Sequence, residues 1–360
     1  MRIQPLFTAV MFVLLLTSCA AVRGVGPSLE PFHGADTAAT PRTAAWFEAH
    51  RHRPPMLRTF LQRMPKGGDL HTHVSGAVYA ESYIAWAAKE NLCVVRATGA
   101  ISHPPCAPGD GKVPIRQAYQ DTALYNVIID ALSTRNLAFA GRSGHDQFFA
   151  AFGKFGGGSQ GDQVAELVAR AATQLVLYVE GMLTLRGSAV RGLGRQAGFD
   201  GDFAATRDKL LAAGLRQEIE TGRQELDAIE ARVNTVLHCQ GERPQPGCGV
   251  TRRYLQQTTR TGPPAEVYAQ LVYAFELARA EPRVVGLNLV APEDHPIALR
   301  DYTLHMQMLG FLATHYPEVN IALHAGELTL GLVPPEHLRF HIRQAVQTAK
   351  ANRAWRRYQL

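Results

Sequence analysis

The sequence predicts an α/β fold built on a parallel sheet. Three observations carry that prediction. Apolar, β-rich runs alternate with segments of helical period along most of the 360 residues. Those runs are apolar on both faces, as strands buried between helices must be. Two of them end in histidine, at the strand ends where parallel α/β folds build their sites. A composition that is 46% hydrophobic and 19% charged supports one large packed core and excludes wholesale disorder.

The elements follow in order. Residues 46–63 carry helical period up to Met64-Pro65, and residues 67–74 (GGDLHTHV) read as a short buried strand. Ala77–Asn91 is expected to be helical through Tyr79, Tyr83, Ile84 and Ala87. Helices over 116–139 and 144–155 precede a break at Gly156–Gly158, and Gln163–Thr173 reads as another helix. Leu175–Glu180 is the second strand. The longest helix is expected over 203–232, with Glu218, Glu220, Arg223, Glu225 and Glu230 on a solvated face. Asn234–Cys239 (NTVLHC) reads as the third strand, Arg283–Val290 as the fourth and Val319–His324 as the fifth. Helices over 265–280 and 299–315 lie between them, and His337–Ala351 closes the series. Periodicity leaves an open sheet and a barrel equally allowed.

Residues 6–16 (LFTAVMFVLLL) form a long apolar run, but eleven residues fall short of the ~20 that a spanning helix needs. Behind Met1-Arg2 and before small residues, the run reads as a signal peptide over 1–19. Leu16-Thr17-Ser18-Cys19 resembles the bacterial lipobox, which implies cleavage before Cys19 and its acylation. Residues 20–45, rich in Gly, Pro, Ala and Thr, are expected to be a flexible tether. The expectation is an exported protein, lipid-anchored in the periplasm or outer membrane, touching membrane only through that anchor. Lys+Arg 37 against Asp+Glu 31 gives a formal charge of +6, spread along the chain, so a nucleic-acid surface is not expected.

Without Cys19, four cysteines remain: Cys93, Cys106, Cys239 and Cys248. An oxidising compartment favours disulfides, and no CxxC pair suggests a metal. Of the three connectivities, the sequence-local one, Cys93–Cys106 and Cys239–Cys248, staples two Pro/Gly-rich excursions and is the expected pairing.

His71 and His73 stand two apart on one strand, so both point to the same side. His324 ends another strand, and three imidazoles can hold Zn²⁺. Ala325-Gly326-Glu327 then brings a carboxylate three positions past the third histidine. Phe148, Phe149, Phe152 and Phe155 either wall an apolar pocket or are plain helix core.

Met64-Pro65-Lys66, the His71-Thr72-His73 pair and Gly76 resemble the opening motif of adenosine deaminases. His324-Ala325-Gly326-Glu327 resembles their His-Ala-Gly-Glu motif, and Val284–Val290 with Glu293, and Tyr178–Glu180, resemble segments between. The signal peptide, the N-terminal extension and the stapled excursion are similar to the secreted, growth-factor-type branch. The resemblance covers roughly residues 55–353. It implies a (β/α)8 TIM-type barrel over 46–353, with one zinc per chain held by His71, His73 and His324. Glu327 would protonate the purine ring nitrogen as water adds to the carbon bearing the amino group, a role that burial of a carboxyl favours. Substrate contacts are implied at Ser75, where many relatives have Asp, and at Ala291, where they often have Gly. The implied partner is a small purine nucleoside, with a homodimer left open.

The family pattern continues with three further strands, a histidine and an aspartate ligand. This sequence instead leaves the pattern after Arg353, and 354–360 reads as an aberrant tail. The tail can be encoded by codons that read His-Gly-Val-Asp-Ile-Ser when shifted by one base, so a frameshift is expected there. The expectation is about five βα units behind an N-terminal helical extension, and impaired deamination of adenosine to inosine. The alternative is an inactive exported lipoprotein that binds nucleoside or a surface partner. A different amidohydrolase is disfavoured, because no lysine is placed to carry a bridging carboxylate.

Overall fold

In the computed structural model, which describes residues 39–139 and 141–355, parallel strands follow one another in chain order. They are β1 Gly67–His73, β2 Val176–Leu183, β3 Thr251–Thr259, β4 Val284–Val290, β5 Ala322–His324 and β6 Arg353–Trp355. Ladders join β1 to β2, β2 to β3 and β3 to β4, and β5 pairs with β6. A parallel bridge between Leu287 and Ile321, with the Leu287 N–H on the Asn320 carbonyl at 3.1 Å, links β4 to the approach of β5.

Neighbouring strands lie ~4.8 Å apart, so in a flat sheet β1 and β5 would be separated by about 19 Å. Instead the Nε2 atoms of His71 on β1 and His324 on β5 are 2.9 Å apart. Arg353 on β6 likewise reaches the carboxylate of Glu180 on β2. The sheet is therefore curled. Inside the curl, Met182, Leu255 and Ala322 pack in a small apolar cluster. The outer face is covered by helices including Gln160–Thr173, Arg216–Val236, Pro264–Ala280 and Tyr302–His315. Their Val168, Leu226, Phe275 and Leu309 are fully buried. The first of these starts three residues before the expected Gln163 because Ser159 caps it. Its hydroxyl accepts from Asp162 N–H at 3.2 Å while Asp162 accepts from Ser159 N–H at 2.9 Å.

The expected third strand is a correction. Asn234–Cys239 is the end of the helix Arg216–Val236 and the turn that follows it. Leu226, Ile229, Val233 and Leu237 are buried at spacings of three and four, and that helical stripe overrides the β-rich composition of NTVLHC. His238, at φ 53, ends it in the left-handed region. The true third strand, Thr251–Thr259, has no apolar run to betray it. Its polar side chains find partners: Arg252 pairs with Glu230, and Gln256 binds both the N–H and the carbonyl of Leu185. Four of the five expected strands are thus present, and Arg353–Trp355 is a second strand that was not expected.

Both expected disulfides are present, with Cα atoms 5.4 Å apart for Cys93–Cys106 and 5.5 Å for Cys239–Cys248. The first excursion is more than a surface loop. It forms a small antiparallel sheet of Cys93–Val95, Ile101–Ser102 and Lys112–Pro114, over its own core of Tyr83, Ile84, Val94, Ile115 and Ile128.

The chain divides into two units between Ala49 and His50. The described part of the first is residues 39–49 of the helix Ala39–His50, which has no buried residue and begins inside the stretch read as a tether. The sheet and the site belong to the second unit. Residues 1–19, expected to be a leader ending at Cys19, and residues 356–360 lie outside the described residues.

Candidate metal centre

His71 and His73 come from the C-terminal end of β1 and His324 from that of β5. The curl brings one ligand nitrogen of each within 4.8 Å of the other two. His324 Nε2 lies 2.9 Å from His71 Nε2 and 3.3 Å from His73 Nε2. A tetrahedral ion with Zn–N bonds of 2.0–2.1 Å holds its nitrogens about 3.3 Å apart, so the spacing suits zinc.

The outer nitrogens decide which way the lone pairs point. His73 Nδ1 faces Gln257 Oε1 at 2.7 Å, and Gln257 in turn donates to Thr184 Oγ1 at 2.9 Å. His324 Nδ1 faces the Leu289 carbonyl at 2.9 Å and Asn288 Oδ1 at 3.1 Å. Each acceptor holds the proton on Nδ1 and leaves the Nε2 lone pair facing the centre. Lone pairs aimed at one another repel unless a cation lies between them, so these residues fit a metal. Burial of His324 pushes its pKa well below the ordinary value, and Arg260, His73 and His71 add positive charge in the same direction. That keeps the imidazole neutral, the form a metal binds. Register makes the support compact: Gln257 on β3 lies directly beside Asn288 on β4.

A cavity of about 630 Å³ opens over the histidines, within the usual size of small-molecule sites. Glu327, Ser75 and Ala291 all line it. Phe148, Phe149 and Phe152 form an apolar wall, whereas Phe155 stacks on Tyr83 at 4.9 Å in the neighbouring core. The two readings of the phenylalanine stripe therefore each hold for part of it. Ala291 sits at φ 83, in the left-handed region that favours glycine. Its carbonyl accepts from Arg260 Nε at 2.9 Å.

Gln257, Asn288 and Arg260 were missed as site residues. Arg260 is 1% exposed, and its Nη1 donates to the His324 carbonyl at 3.1 Å, bracing the end of β5. A signal for the two amides was present in the polar QQTT of β3 and in the asparagine inside VVGLNLV. A polar side chain in a buried strand needs a partner, and the partners here are the imidazoles.

Glu293 is also buried, at 1% exposure, and its carboxylate accepts from Gly326 N–H at 3.1 Å, Glu327 N–H at 2.7 Å and His341 Nδ1 at 2.6 Å. Burial alone would raise its pKa. The His341 bond, the Arg260 charge and the Gly326 N–H outweigh that and hold it below the usual carboxylate value.

The helix that carries the phenylalanine wall, Gly144–Phe152, is tied to the loop after β4 by His145 Nε2 on Asp294 Oδ1 at 3.0 Å. Burial would lower the pKa of His145, but its bonds to Asp294 and Asp146 more than offset this and raise it. A raised histidine pKa makes the tie complete below about pH 6.5 and lost as pH rises through the raised value. Amide protection in Gly144–Phe152, corrected for intrinsic exchange, is therefore expected to fall by up to about fivefold between about pH 6 and pH 8. In His145→Gln it should be flat. A flat profile in both proteins would show that the tie contributes nothing.

No family model matches the chain, and no curated protein does. Among solved structures, it is similar to an adenine deaminase from Arthrobacter aurescens, at 15% identity and a TM-score of 0.40, over 81% of this chain and 64% of that one. It is also similar to an amidohydrolase from Burkhoderia ambifaria with bound Zn, at 17% identity and a TM-score of 0.41, over 83% and 60%. An Arabidopsis N6-mAMP deaminase aligns at 15% identity and a TM-score of 0.37, over 82% and 66%. The chain spans about three fifths to two thirds of the length of these structures.

Proposed function

We propose that the curled sheet is part of a (β/α)8 barrel, and that its site removes the amino group of a purine nucleoside, adenosine first among them, by hydrolysis. The observation that carries this reading is the convergence of His71, His73 and His324 beside Glu327 in one cavity of nucleoside size. The motif resemblance to adenosine deaminases supports the same assignment of roles. His71, His73 and His324 would hold a zinc ion, which would supply the Lewis acidity that activates water near neutral pH.

The rest is done by the chain itself. Phe148, Phe149 and Phe152 take the flat apolar purine and keep bulk water out. Glu327 protonates the ring nitrogen next to the carbon under attack. Gln257, Asn288 and the Leu289 carbonyl keep the imidazoles turned inward. Ser75 and Ala291 border the space left for the nucleoside. Anchoring at an acylated Cys19, in the periplasm or at the outer membrane, completes the reading.

The test is zinc content by elemental analysis of the purified chain, together with conversion of adenosine to inosine. One zinc per chain, with inosine formed at an impaired rate, is the expected result. A chain that takes up no zinc sinks the proposal, and a zinc-loaded chain that binds adenosine unchanged favours the non-catalytic alternative.

A further inference from the structure

The peptide that carries Glu327 has almost no freedom of its own. Gly326 sits at φ 84, where glycine is favoured, and a Cβ there would lie 2.7 Å from Ile342 Cδ1. That segment leaves β5 through a left-handed turn that runs beside Ile342 of the helix His341–Gln347. On its other side, two consecutive amides, Gly326 N–H and Glu327 N–H, point at the two oxygens of one carboxylate, that of Glu293. The side chain of Glu293 is 0% exposed, so no water competes for those bonds. A third donor, His341 Nδ1, fixes the carboxylate from behind. His341 is itself held by the Tyr302 ring, stacked at 3.5 Å, and by the Tyr302 hydroxyl donating to its carbonyl at 2.9 Å.

We infer that Glu293 is a positioning residue for Glu327. By accepting both amides it sets the plane of the peptide from which the Glu327 side chain projects into the cavity, and His341 sets Glu293. The inference rests on the proposed role of Glu327. Its physical basis is that two charge-assisted bonds from adjacent N–H groups fix an orientation, where one bond would fix only a distance. Misplacement of a reacting group by about 1 Å can cost ~10²-fold in rate, so the orientation matters to the proton transfer.

The test replaces Glu293 by glutamine, which keeps the shape but offers a single oxygen and sets an NH₂ group against a donor. Zinc content, amide exchange at Gly326 and Glu327, and kcat and KM on adenosine are compared with the parent. The expected result is unchanged zinc, exchange at those two amides faster by at least about tenfold, and kcat lower by ~10²-fold with KM nearly constant. Unchanged exchange at both amides overturns the inference. So does loss of protection throughout β5 together with loss of zinc, the outcome of a merely structural role. If Glu293→Gln does not fold, His341→Gln removes one bond of the three. It should move the same two amides in the same direction, by a smaller factor, and no change there is equally fatal. The exchange readout needs no turnover. A parent that holds zinc but makes no inosine would therefore defeat the proposed function and still leave this inference decided by the amides.

Discussion

His324→Ala is expected to empty the site of zinc and to remove essentially all turnover. His324 is the imidazole that faces both others, and it is the one contributed from the far end of the curl, buried to 8% exposure. Without it, His71 and His73 remain as two neighbours on one strand. Loss of an outer partner of a metal-bound histidine typically costs 10–100-fold in metal affinity, and loss of the imidazole itself must cost more. Without the ion that the three imidazoles would hold, no Lewis acid would be there to activate water, and a fall in rate of ~10⁴-fold or more is expected. Elemental analysis and initial rates check both halves. Full zinc occupancy in the variant would remove His324 from the ligand set.

Glu327→Gln should separate acid from metal. The amide has nearly the same volume and still lines the cavity, so zinc content and nucleoside binding should hold. It has no carboxyl proton to give, and removing a general acid typically lowers kcat by ~10²–10⁴-fold. The contrast is the informative part: one variant loses zinc and rate together, the other loses rate alone. Comparable kcat in Glu327→Gln and parent would mean that another group protonates the ring.

The parts legible in the sequence were those in which one physical signal dominated. Val284–Val290 and the approach to His324 are apolar on both faces, and the HxH pair has the parity of a strand, so the three converging histidines were found with their elements. Thr251–Thr259 was invisible for the opposite reason. Arg252, Gln256 and Gln257 are polar because each has a partner on another element, and a partner more than seventy residues away, as for Gln257 with His73, leaves no local trace. NTVLHC misled because strand propensity and helical period disagree there, and the buried stripe from Leu226 to Leu237 decided the outcome. Glu293 was visible as a letter in a resembling segment, but its two backbone donors depend on where the turn after β5 lies, which no local pattern encodes.

One consequence follows from the curl that brings β1 against β5. The nitrogens that meet there belong to residues 253 positions apart in the chain, a coincidence the unfolded polymer almost never achieves. Any cation that binds them therefore recognises the folded chain alone, and by mass action its free concentration becomes a stability variable like temperature. At a hundred times its dissociation constant such an ion adds about 2.7 kcal/mol, a sizeable share of the 5–15 kcal/mol on which a domain stands. The supply of metal where the protein folds would then govern how much of it survives, before any substrate is met.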